Sequence, residues 1–478
     1  MVLPWPFIHT PSVTLGTSGP PVIGRPVVLK GTELAAHKHI LGVTGQGKSK
    51  AIASLFLQLL NQGIGALLID PHADLADDVL ASLASNGFFR DPRAYDRLLY
   101  LDLTRQDRFL PFNVLAAPYP PHQLASQINE VFKRVWPALA DGAAPQFENI
   151  LLSAVLVLIE NRRPITALPR LLTDKPYRDG LLQHVSDPQV VSFFHDRYDR
   201  WGREAPLMIE STLRRIFLLT FSPSLRYALG QPTNALNFRD LMDRGISVIV
   251  SLGGLDEDTQ RLLGSLVSVG VEVAALSRVD IPEPERRPYH LILDEFSMFS
   301  AQSEEALSRV LSLARKYALS ITLAHQTWSQ LSTRLQGALQ NALEISFKLG
   351  PNDAAWAAPR FARYDPYLVK HEVVDPYQVE RTHPLYFSVQ EILTGWQQSL
   401  MDLQPREAYV KTGGHVTKIR TLKLSPPTCT RAELAAIKER YAERLLTPRA
   451  QAAAQVDQQP PATPPPTSRT VFVADPDA

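Results

Sequence analysis

The sequence predicts an α/β protein with a mostly parallel sheet, an inserted all-helical subdomain and a disordered C-terminal tail. Three observations lead there. Wholly apolar runs such as Gly65-Ala66-Leu67-Leu68-Ile69 alternate with stretches of helical periodicity, as expected for strands covered by helices on both faces. Between residues 118 and 232 the strand-like runs stop and the apolar spacing is mostly three and four residues. From residue 451 the chain is rich in Ala, Gln and Pro and has too little apolar surface to form a core.

The composition is that of a globular protein: 478 residues, 45% hydrophobic and 20% charged. That length predicts more than one core. A formal net charge of +1 argues against a uniformly basic nucleic-acid surface, so any such contact must be local. The single cysteine, Cys429, excludes an intramolecular disulfide and a multi-cysteine metal site. The opening Met1-Val2-Leu3-Pro4-Trp5-Pro6 has no basic region or continuous apolar stretch of a signal peptide. The apolar run Ile150–Ile159 is too short to cross a bilayer. The expectation is a cytoplasmic protein without direct membrane insertion.

Taken in order, residues 1–36 form a strand-rich lead-in containing Pro26-Val27-Val28-Leu29. Residues 37–117 begin the core. The strand Ile40-Leu41 runs into Gly42-Val43-Thr44-Gly45-Gln46-Gly47-Lys48-Ser49 and then a helix whose Ile52, Leu55, Phe56 and Leu59 share one face. Gly63 stands where that helix needs a C-terminal cap. Gly65–Asp70 and Leu98–Leu103 follow as strands. After the helical interval 118–232, residues 233–425 complete the core with strands at Ile246–Leu252, His290–Leu293, Ser320–Ala324 and Glu344–Leu349. A helix is expected from about Glu304 to Tyr317. Residues 426–450 contain a charged helix, Thr430–Leu446, and 451–478 form the tail.

Gly42 to Ser49 match the phosphate-binding pattern G-x-x-x-x-G-K-[ST] at every position. Backbone N–H groups of Gly42, Thr44, Gly45, Gln46 and Gly47 would close around a polyphosphate, helped by the dipole of the following helix. Lys48 would reach the β- and γ-phosphates of ATP, and the Ser49 hydroxyl would hold Mg²⁺. A second element is Leu291-Ile292-Leu293-Asp294-Glu295, an apolar strand ending in two acids. Asp294 would orient Mg²⁺ and Glu295 would polarise an attacking water, although strand-end acids also cap helices. Gln326 ends the next strand, where it is either a γ-phosphate sensor or a plain strand-end loop glutamine, and the adjacent His325 is read as packing or facing solvent. Arg315 and Lys316 close a helix and either complement its dipole or present an arginine finger to a neighbouring subunit. The basic pairs Lys133-Arg134, Arg162-Arg163, Arg214-Arg215 and Arg286-Arg287 are solvated faces or pore linings.

These pieces together resemble the HerA–FtsK class of P-loop motor ATPases, and within it the coupling proteins of conjugation and type IV secretion. The resemblance rests on His39-Ile40-Leu41-Gly42 entering the phosphate loop, Ile69-Asp70-Pro71-His72-Ala73-Asp74-Leu75, Asp294-Glu295-Phe296 and Asn341–Gly350 with Asp353-Ala354. Its most specific part is Arg315-Lys316-Tyr317-Ala318-Leu319-Ser320 leading to Ala324-His325-Gln326. It implies a RecA-like P-loop core and a homo-oligomer, a hexamer, that drives single- or double-stranded DNA through a central pore with ATP and Mg²⁺. It also implies secretion or relaxase partners, and a finger role in trans for Arg315. Asp70 matches too, while capping a helix explains it equally well. Coupling proteins usually begin with a membrane anchor, which is not seen here, so a translocase that is unanchored or tethered by a partner is expected. Two other functions fit the nucleotide motif: a secretion-assembly ATPase acting on protein, and a regulatory module that binds nucleotide. Lys48 and Glu295 speak against the second, since binding alone needs no water-polarising acid.

Overall fold

The computed structural model describes residues 11–19, 24–136, 145–298, 311, 313–331, 333–375 and 378–457. The chain divides into two compact units, 1–104 with 238–442 and 105–237 with 443–478.

In chain order the strands are β1 (Ser12–Ser18), β2 (Arg25–Lys30), β3 (Lys38–Leu41), β4 (Gly65–Asp70), β5 (Leu98–Asp102), β6 (Arg108–Phe109), β7 (Ser247–Ser251), β8 (Tyr289–Leu293), β9 (Leu319–His325), β10 (Leu343–Ser346), β11 (Val369–Asp375), β12 (Gln378–Tyr386), β13 (Glu407–Thr412), β14 (His415–Thr421) and β15 (Thr447–Pro448). In the first unit, among the described residues, eleven of them form one sheet in the order β2-β1-β14-β13-β10-β3-β9-β8-β4-β7-β5. From β10 to β5 every pairing is parallel. β3, β4, β7, β8 and β9 are buried along their whole length, so the apolar runs read as strands are sandwiched between helices.

The helix Lys48–Asn61 follows β3 and buries Ile52, Leu55, Phe56 and Leu59, the face set by their spacing. Gly63 follows it with φ +69°, a conformation open to glycine at little cost. The helix also holds the lead-in. Gln58 and Gln62, one turn apart, exchange side-chain hydrogen bonds with the backbone of Thr14 and Ser12 in β1 at 2.7–2.9 Å. β1 thereby joins the sheet antiparallel to β14.

The antiparallel hairpin β13–β14 extends the sheet beyond β10, and β11–β12 form a separate two-stranded ribbon. The helix Val389–Met401 opens on a capping box between Ser388 and Glu391, which satisfies two orphan N–H groups at once. The helix Glu257–Leu276 lies in a stretch, Glu257–Asp280, that is long and apolar enough to cross a membrane. Its most apolar 18-residue window is nearly three quarters buried inside the protein, as in a core helix.

The second unit is largely helical, with Pro121–Val135, Pro145–Glu160, Ala205–Phe221 and Pro223–Leu229 among its helices. It is wider than the interval 118–232 and includes the end of the described chain. β15 pairs with β6, and the Arg449 amide donates to the Asp107 carbonyl at 2.8 Å. Residues 451–457, expected in a disordered tail, belong to the helix Arg449–Asp457. Its run of alanines favours helix, and Ala452 is fully buried. Residues 458–478 lie outside the described residues. So does most of the expected helix 304–317: what is described of it ends in a 3₁₀ turn, Ala314–Tyr317, stopped by Ala318 at φ +57°.

Candidate nucleotide site

At the C-terminal end of β3 the chain turns through Gly42–Gly47 into the helix that Lys48 opens. A Cβ on Gly42 would lie 2.6 Å from Cβ of Phe347, so only glycine lets the loop pass. Gly45 and Gly47 have φ of +80° and +99°, which other residues rarely adopt. The loop is tied from behind at two points. The Val43 amide donates to the Lys348 carbonyl at 3.0 Å, and the Arg406 amide donates to the Gln46 carbonyl at 2.8 Å. Arg406 itself has φ +72°. This brace comes from the turn before β13.

β8 delivers Asp294 and Glu295 opposite the loop. Glu295 has φ +44°, a left-handed conformation that costs a non-glycine residue roughly 1 kcal/mol or more and is concentrated at functional sites. Its Oε1 accepts from Lys48 Nζ at 2.9 Å and from Gln326 Nε2 at 3.1 Å. Lys48 is only 6% exposed, so this ion pair is shielded from water. Asp294 Oδ1 accepts from the Glu295 amide at 3.1 Å, and its Oδ2 lies 3.5 Å from Ser49 Oγ, the outer limit of a hydrogen bond. Burial pushes the Asp294 carboxyl up to about 6; the charge of Lys48 opposes that rise, and the charges of Glu295 and Asp70 add to it.

Asp70 resolves as a capping residue. Its two oxygens accept from the amides of His72 at 2.9 Å and Ala76 at 2.8 Å, fastening the start of the helix Asp74–Ser85. Burial raises its carboxyl as well.

The cleft enclosed by these groups has a volume of about 400 Å³. Thr44, Gly45, Gly47, Lys48, Ser49, Asp294, Glu295 and Gln326 all line it. Gly42 and Gln46 do not, and act instead through the packing and the bracing just described. Arg315 is not brought to this cleft. It is exposed, in the turn that precedes β9, whereas the cleft lies beyond the other end of that seven-residue strand, roughly 20 Å along the sheet.

Reasoning from sequence missed several contributors. Arg406 carries no motif. Of the two readings of His325, packing holds: it is fully buried, and its partner, the ring of His39, is what the sequence did not show. The pair Arg286-Arg287, read as a possible pore lining, has its guanidinium groups on the carbonyls of Arg278, Ile281, Lys316, Arg244 and Gly63.

A phosphate loop facing a strand-end acid pair and a polar residue of the neighbouring parallel strand defines the P-loop ATPase class. Residues 26–343 match the model of the type IV secretion-system coupling protein DNA-binding domain, and the chain belongs to that family. No curated protein sequence matches the chain. Among solved structures, the bacterial conjugative coupling protein TrwBdeltaN70 in its unbound form is similar, at 18% identity and TM-score 0.54 over 84% of this chain and 87% of that one. TrwB in complex with ADP and Mg²⁺ gives 18% identity and TM-score 0.53 over 84% and 88%. VirB4 of Thermoanaerobacter pseudethanolicus gives 13% identity and TM-score 0.54 over 87% and 96%. These likenesses show the fold to be the RecA-like core of the coupling proteins.

Proposed function

We propose that this protein is an ATP-hydrolysing motor that moves DNA through a ring of six identical subunits in conjugative or type IV secretion transfer. The observation that carries the reading is the convergence of Lys48 and Gln326 on one oxygen of Glu295, in a chain of the coupling protein DNA-binding family. ATP phosphates entering the loop compete with Glu295 for Lys48, and the released carboxylate is then free to polarise water. Gln326, already against that carboxylate, reports whether a γ-phosphate is present. The hydroxyl of Ser49 and the carboxylate of Asp294 are hard oxygen donors beside the loop, a set suited to Mg²⁺. The ion would supply charge neutralisation at the phosphates.

Arg315, exposed and remote from its own chain's cleft, serves in this reading as a finger in trans at the cleft of a neighbouring subunit. TrwB, a relative of the same fold, is known in complex with ADP and Mg²⁺, the nucleotide class and the ion this reading calls for. The rival is a secretion-assembly ATPase acting on protein, which the same nucleotide site would serve equally well. ATPase rate with and without single- and double-stranded DNA tests the choice. Several-fold stimulation by DNA, together with a DNA-dependent hexamer in sedimentation, is expected. Turnover indifferent to either DNA would overturn the DNA motor in favour of the rival.

A further inference from the structure

Behind the cleft, two buried histidines join the strand that feeds the phosphate loop to the strand that ends in Gln326. His39 lies on β3, three residues before Gly42, and is 2% exposed; His325 is the last residue of β9 and is fully buried. β3 and β9 run parallel, with His39 opposite Leu323 and Leu41 opposite His325. The two rings therefore meet on a diagonal of one sheet face. Their Nε2 atoms are 2.6 Å apart.

The proton positions follow from the partners. His325 Nδ1 is 2.8 Å from the Thr327 carbonyl, which can only accept, so that nitrogen carries the hydrogen. The His325 atom that meets His39 is then Nε2. Burial holds His39 well below its usual range, so it is neutral, and a single hydrogen lies between the two rings. The bonds form a chain from the His39 ring through the His325 ring to the Thr327 carbonyl, to which His325 donates.

That chain closes around Gln326. The His325–Thr327 bond spans the backbone of Gln326, leaving its carboxamide directed at Glu295. The edge of the His325 ring also meets Phe296, with centroids 5.7 Å apart at 83°, and Phe296 directly follows Glu295. One imidazole thus touches the segments carrying both groups opposed to the phosphate loop, and His39 ties it to the loop's own strand. An apolar pair would fill the same space without two ring nitrogens to satisfy, a burial that is costly unless bonded.

We propose that His39 and His325 are positioning residues that keep Gln326 and Glu295 in register with the phosphate loop, so that their hydrogen bond sets the rate of hydrolysis and not the affinity for nucleotide. The inference rests on the hydrolytic reading above. The test compares H39L, which keeps bulk but has no donor, with H39Q, whose amide reaches about as far as Nε2. Each is measured by kcat and KM for ATP, by binding of a fluorescent ATP analogue and by melting temperature, using the full chain. H39L is expected to lower kcat about tenfold or more, since small misplacements at a reacting centre are amplified. Its KM and analogue affinity should stay within about twofold, and H39Q should recover most of the rate. If H39L does not fold, H39N, whose amide is too short to reach His325, takes its place. A kcat within twofold of wild type in the donor-less variant, or equal losses of rate and affinity in both variants, overturns the inference while leaving the hydrolytic reading intact. Absence of ATP turnover in wild-type protein overturns that reading and this inference with it.

Discussion

Replacing Asp294 with asparagine should make the ligand-free protein more stable at neutral pH. The folded environment raises this carboxyl from 3.8 to about 6, with burial as the main cause. A tenfold change in proton affinity is worth about 1.4 kcal/mol, so a rise of that size, roughly a hundredfold, amounts to about 3 kcal/mol. The sign follows from proton binding. Between pH 4 and 6 the folded state holds the proton and the unfolded state has lost it, so rising pH destabilises the fold. The penalty is absent below pH 4 and complete above pH 6. Asp294 is only 4% exposed, so solvent screening does not reduce it much. Asparagine keeps an oxygen for the Glu295 amide and carries no charge. D294N should therefore melt several degrees above wild type at pH 8, and the gap should close near pH 4. Thermal unfolding across that range reads the difference directly, because every other titrating group is common to both proteins. Adding Mg²⁺ and ATP should reverse the order, since a ligand stabilises only a state that binds it. A D294N protein no more stable than wild type at pH 8, or a gap unchanged between pH 8 and pH 4, would refute the reasoning.

Other expectations follow from the same geometry. K48A should lose nucleotide binding or turnover, whereas E295Q should bind ATP and fail to hydrolyse it, because Lys48 meets phosphate in the ground state; equal loss of affinity in both, measured by equilibrium binding, would defeat that division. R315A should fold, bind ATP and hydrolyse it about 10³-fold more slowly. Mixing R315A with E295Q should restore activity above either alone once co-assembly is shown, and near-normal turnover of R315A by itself would rule out the finger. Truncation after Asp457 should leave melting and ATPase rate unchanged, because 458–478 is too poor in apolar residues to add a core. Truncation after Leu446 should lower the melting temperature by several degrees, because it removes β15 and the buried Ala452.

What the sequence disclosed was whatever short-range chemistry dictates. The phosphate loop is legible because its glycines, Lys48 and Ser49 are contiguous and each answers to a backbone or charge requirement. The central strands are legible because a strand buried on both faces has no polar alternation to confuse it with a surface strand. β13 and β14 escaped because Glu407–Thr412 and His415–Thr421 mix charged and apolar residues, and their place beside β10 is fixed by pairing over 60 residues away in sequence. Arg406 was invisible for a related reason, since it braces the loop with its backbone amide, which any residue but proline possesses. The choice between packing and solvent for His325 stayed open because its partner, His39, is 286 residues distant, and a lone histidine at a strand end carries no local signature. The tail was read from its composition as a whole, which masked the helix-forming alanines at its start.

The sheet order also sets a timetable for biosynthesis. β3, which leads into the phosphate loop, lies between β9 and β10, strands the ribosome makes about 280 and about 305 residues later. At roughly 5–20 residues per second, the loop emerges some tens of seconds before either of its flanking strands exists. Throughout that interval β3 is an apolar strand without either of its eventual neighbours, the kind of exposed edge that chaperones shield. The nucleotide cleft cannot close until β9 and the turn before β13 have both arrived. A nascent chain should therefore first retain ATP when synthesis has passed Arg406, whose amide braces the loop at Gln46.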